Sequence, residues 1–97
     1  MNLMKPKEEQ LNIGIYVYKN AEVLDFSGPF EVFSTANRLN NENLQLNVFL
    51  IGETDLSIEA RGGFRVTPKY DIHTHPELDL LIVVWVVCTL MKCKKLI

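Results

Sequence analysis

Ninety-seven residues set an upper limit of one domain. With 47% hydrophobic and 23% charged residues, the composition is that of an ordinary globular protein. Ten basic against twelve acidic residues give a formal net charge of −2, and no stripe of Lys or Arg runs through the body, which argues against a nucleic-acid surface.

The first ten residues, MNLMKPKEEQ, are charged, contain Pro6 and lack the apolar core of a secretory signal. They are expected to form a flexible leader, with the domain over 11–97. Leu11 to Tyr18 follows, apolar at 11, 13 and 15 to 18, the near-continuous pattern of a strand buried on both faces. Lys19 and Asn20 open a turn in which Val23 and Leu24 pack back on the sheet. A helix then starts at Asp25 or Ser27, either of which can cap it by accepting a backbone N–H. Pro29 belongs in the first helical turn, where no intrahelical donor is lost. Phe26, Phe30, Phe33 and Val32, with Ala36 and Leu39, form an apolar stripe for core packing. The polar run Asn40 to Asn43 ends the helix.

Leu44 to Gly52 alternates and predicts a second parallel strand. Two short alternating runs, LSIEA and FRVT, flank Arg61-Gly62-Gly63 and predict a hairpin whose turn needs positive φ. Pro68 ends the second run. In the connector Lys69 to Glu77, His73 and His75 share a spacing that can ligate a metal, with Asp71 or Asp79 as further donors. A full ligand set is not visible, so the histidines are expected to face solvent and the chain to hold no metal. Asp79 to Val87 predicts a last strand, buried on both faces.

Leu80 to Met91, LLIVVWVVCTLM, is twelve residues without charge, followed by Lys92, Lys94 and Lys95. A spanning helix needs about 20 residues, and β-branched Val and Ile dominate the run, so a buried strand is the better reading. The terminal KKLI resembles a di-lysine retrieval signal, and a small tail-anchored protein is a third reading of the chain. Cys88 and Cys93 are expected to be unpaired thiols in a reducing, cytoplasmic compartment.

The runs NIGIYVY, AEVLDFSGPFEVFSTANRL, LQLNVFLIG, ARGGFRVTP and LDLLIV, in this order, resemble the amino-terminal part of the ThiJ/PfpI superfamily, the class I glutamine amidotransferase-like proteins. The resemblance covers roughly Leu11 to Val83. Its most specific motif, Leu-Asp-x-x-Gly-Pro-x-Glu-Val-Phe at Leu24 to Phe33, is closest to two branches: isonitrile hydratase-like enzymes, and the amino-terminal sensory domain of AraC-type transcription regulators. The resemblance implies a flavodoxin-like three-layer α/β sandwich with a parallel sheet, of which this chain supplies the front portion. It also implies a homodimer in the intact relative, a small-molecule substrate or ligand, and no cofactor. In the family an acidic residue from the first strand–helix turn hydrogen-bonds to a nucleophilic Cys on a later strand-to-helix turn. Asp25 matches the acid. A carboxyl group beside a thiol can exchange a proton with it or with substrate, and Asp25 can cap the helix as well. Gly28 falls on the substrate side of the motif, with Ile15 or Tyr16 as further candidates.

After DLLIV the family continues Pro-Gly-Gly, whereas this chain continues Val84-Trp85-Val86-Val87-Cys88. Cys88 and Cys93 match neither the position nor the context of the nucleophile. Val-Trp-Val-Val back-translates as GTN-TGG-GTN-GTN, and reading from the third base permits two adjacent Gly codons. A one-base frameshift near Val84, followed by a short out-of-frame tail, is the expectation; genuine divergence of the tail is the alternative. The implied function is that of an ancestral cysteine-dependent hydratase or hydrolase fragment, inactive as written; the alternative is a remnant of an AraC-type sensor. With about three strands and one long helix, one sheet face is expected to lie bare, leaving the chain marginal or prone to aggregate.

Overall fold

The computed structural model describes residues 9–40 and 43–83. The elements are β1 (Glu9–Tyr16), α1 (Val23–Leu39), β2 (Leu44–Gly52), β3 (Ile58–Glu59), a 3-10 turn (Arg61–Gly63), β4 (Arg65–Val66), β5 (Tyr70–Asp71) and β6 (Leu80–Val83). Four strands form one sheet in the order β5-β2-β1-β6. All of its pairings are parallel, with Ile13 opposite both Val48 and Leu80, and Ile15 opposite Leu50 and Ile82. The architecture is α/β, the amino-terminal part of a flavodoxin-like arrangement.

One helical layer covers the sheet. Ile15, Val17 and Ala21 from β1 and its turn meet Phe26 of α1 and Ala60 of the hairpin, with Phe30, Val48, Leu50 and Ile82 packed around them. The helix therefore turns Phe26, Phe30 and Phe33 toward the sheet, while Val32 and Leu39 stand exposed. Those two residues are apolar but lie off the buried stripe, because a helix of 100° per residue sends them to its outer side.

The opposite sheet face is not bare. The connector after β4 covers part of it: Tyr70 packs edge-on against Phe49 at a centroid distance of 4.9 Å, and Phe49 and Ile51 are buried. Gly14 makes this close approach possible, since a Cβ there would stand 2.5 Å from Ile51 Cδ1 and 3.0 Å from Leu78 Cδ2. The side chain of Asn12 ties the connector down, donating to the Glu77 carbonyl (2.9 Å) and accepting from Asn47 (3.0 Å). Its backbone exchanges bonds with Asp79: the Asn12 N–H donates to Asp79 Oδ2 (2.7 Å) and the Asn12 carbonyl accepts from the Asp79 N–H (2.8 Å).

Several boundaries differ from the sequence-based expectations. β1 begins at Glu9, so Glu9 and Gln10 belong to the sheet rather than to the leader. α1 begins at Val23, and Pro29 sits in its second turn. There it withholds the N–H that the Asp25 carbonyl would otherwise accept, a local cost of about 3 kcal/mol offset by packing of the flanking Phe26 and Phe30. β6 is not buried on both faces: Leu80, Leu81 and Val83 are 45%, 50% and 49% exposed. Among the described residues it pairs with β1 alone, and α1 lies across β1 and β2. The hairpin forms as expected, with Ile58 opposite Val66 and with Gly62 and Gly63 at φ 78° and 82°. The rest of the leader, the turn at 41–42, the end of the last strand, Cys88, Cys93 and the tail lie outside the described residues.

Candidate functional site at the carboxyl end of β1

The chain leaves β1 to one side to build β2, then crosses to the other side for β6. The sheet order thus reverses at β1, and in open α/β sheets the crevice beyond the carboxyl ends of the strands at such a reversal is where ligands bind. Tyr16 ends β1 there, beside Val83, its register partner, and Val17 and Tyr18 follow. The turn that follows is tight. The Ala21 N–H donates to the Tyr18 carbonyl (3.1 Å), and Asn20 takes φ 67°, a left-handed conformation that Asn tolerates. Ala21 is buried beneath this turn, which delivers the first turn of α1 to the sheet's edge.

Asp25 is the third helical residue, with its carboxyl group exposed. It is not the cap, and neither is Ser27. The N-cap position belongs to Glu22, which makes no side-chain cap bond because its carboxylate pairs with Arg61 of the hairpin turn at 3.2 Å. The Arg61 N–H also donates to the Ala21 carbonyl (2.9 Å), so the hairpin buttresses the turn. A carboxylate in the first helical turn is favoured by the helix dipole, which gives Asp25 a stabilising role there as well.

Tyr18 joins Asp25, a partner not anticipated from the sequence. Burial, and secondarily the negative charge of Asp25, hold the Tyr18 phenol above its ordinary value of 10.0. Tyr18 therefore stays protonated near neutrality. Tyr16 stacks on Tyr18 at 6.2 Å between ring centroids. The signal available in the sequence was two tyrosines spaced by two at a strand's end, which sets them on the same side of the chain.

Gly28 is half-buried, and a Cβ at this position would meet nothing within 4 Å. Its local reason is Pro29. The ring of a proline clashes with the Cβ of a helical residue before it, and glycine has none. Ile15 faces the core at 0% exposure and is not a site residue, whereas Tyr16 is at the crevice. The arrangement sets the Asp25 carboxylate, in the first turn of α1, and the two stacked phenols at the same end of β1.

Among the described residues, no group of three His, Cys, Asp or Glu side chains is placed to hold an ion. Instead Asp71 closes a local turn, its Oδ1 accepting the His73 backbone N–H (2.7 Å) while its own N–H donates to Thr74 Oγ1 (3.0 Å). His75 Nδ1 lies 2.7 Å from the Pro76 carbonyl. No described helix is long and apolar enough to cross a membrane.

Comparison with protein-family models, curated proteins and solved structures finds no match to this chain.

Proposed function

We propose that residues 11–83 are the front portion of a ThiJ/PfpI-like domain, descended from a cysteine-dependent hydratase or hydrolase of small molecules. The observation that carries this reading is the place of Asp25. The one carboxylate matching the family motif stands at the carboxyl end of the central strand, where the sheet order reverses and a ligand would sit. In the intact relative, a cytoplasmic homodimer on this reading, Asp25 exchanges a proton with the nucleophilic thiol or the substrate. Tyr18 donates a hydrogen bond at the same edge, and Gly28 leaves room beside the helix.

Sequencing the coding DNA through and past the Val84 codon tests the proposal. It predicts that the alternate frame is open and encodes adjacent glycines, then a strand, a cysteine and a helix. A closed frame, or one encoding an unrelated continuation, overturns it. A helix-turn-helix pair further downstream would assign the domain to a regulator that binds the ligand without converting it.

A further inference from the structure

The outer edge of β2 is closed at both ends and open in the middle. The Val17 N–H donates to the Ile51 carbonyl (2.9 Å), so the odd-numbered residues of β2 direct their backbone groups toward β1. The even-numbered ones point outward. Three of these outward residues are engaged: the Leu44 carbonyl accepts from Asn40 (3.3 Å), the Leu46 N–H donates to Asn37 Oδ1 (2.8 Å), and the Leu50 carbonyl accepts from the Lys69 N–H (3.0 Å). β5 reaches only Ile51 and Gly52. Between these closures, the carbonyl of Leu46, both backbone groups of Val48 and the N–H of Leu50 have no partner among the described residues.

Leu46 and Val48 line a groove of about 580 Å³ that straddles the edge. Ser34 and Asn37 of α1 form one wall, and Lys69, Tyr70 and Pro76 form the other. The lining is polar, and among the described residues Lys69 is its one charged member, set 5.7 Å from the Tyr70 ring. Donors and acceptors alternating at strand spacing along a groove fit the main chain of an extended peptide, the strand-addition mode of recognition. From Leu46 to Leu50 the edge runs about 13 Å, room for roughly four peptide residues. A lone cation in a neutral polar lining favours an acidic side chain in the occupant.

We propose that this groove takes an extended acidic peptide, which adds to β2 as a strand between Asn37 and Lys69. The site shares no residue with the Asp25 crevice and stands independently of the function proposed there. An edge left open is ordinarily an aggregation hazard. Here Asn37, Asn40 and Lys69 limit it to a gap of defined length.

The test is hydrogen–deuterium exchange on the full chain at low concentration, with an acetylated and amidated hexapeptide of Val and Thr around a central Glu as the probe. Protection should be confined to 46–50. Lys69→Glu, an exposed position, should weaken binding about threefold to fivefold, and N-methylation of alternate peptide amides should abolish it. Absence of protection, protection of 80–83 instead, or equal binding by the N-methylated or Glu→Lys peptide overturns the proposal.

Discussion

β1 and β6 carry similar apolar runs, Ile13 to Tyr16 against Leu80 to Val83, and pair residue for residue. Their surroundings differ. Ile15 is wholly covered by α1 and the flanking strands, and its partner Ile82 packs against the same core, whereas Leu81 and Val83, on the other face of β6, are half exposed. Apolar sequence states what a strand would gain from burial. It does not state what buries it. β1 is central and receives a helix on one face and the connector on the other. β6 is the last strand of the described sheet; Ile82 packs against the core, while Leu80, Leu81 and Val83 stay about half exposed.

The largest effect that sharpens this contrast is a pair of truncations. Ile15→Ala should lower stability by about 2–5 kcal/mol, the cost of a cavity where nothing can collapse inward. Leu81→Ala should change it by less than about 0.5 kcal/mol. Urea unfolding of both variants measures the difference, and equal losses would break the contrast. A smaller effect is expected on the face closed by the connector. Gly14→Ala puts a methyl group into Ile51 and Leu78, and should cost about 1–3 kcal/mol. A neutral outcome in the same unfolding assay would mean that the connector is not seated on β1.

The smallest effect is a pH dependence at the connector. The His73 backbone N–H, with added help from Thr74, holds the Asp71 carboxyl below its ordinary value of 3.8. The sign follows from the folded state preferring the ionised form. The contribution is fully present above the ordinary value and is lost as the pH falls through the lowered one. Amide exchange at His73 should therefore quicken at the acid end of that window, and Asp71→Asn should flatten the dependence. An unchanged profile in the variant would place the cause elsewhere.

Much of the frame was legible from local chemistry. The bounds of β2 follow from its alternation between the polar turn and Gly52, and the glycine pair located the hairpin turn, because only glycine takes those positive φ values cheaply. What local pattern could not show was set by distant partners. Glu22 became the N-cap position while its carboxylate went to Arg61, which moved the helix start ahead of Asp25. β5 is two residues in a Pro- and His-rich connector and exists because Ile51 and Gly52 offer an edge. Ile15 and Tyr16 are adjacent in sequence, but the strand sends one to the core and the other toward the crevice. The place of Asp25 at the start of α1 was readable from the sequence, whereas its electrostatic coupling to Tyr18 arises only through the fold of the turn.

Everything proposed for Asp25 depends on β1 and β6 lying side by side in the same sense, with α1 crossing from the end of β1. Nuclear Overhauser contacts in the isotope-labelled full chain test this most directly. The account predicts contacts from Ile13 to Leu80 and from Ile15 to Ile82, with the same order along both strands. Contacts in the reverse order, or none between 13–16 and 80–83, would contradict it.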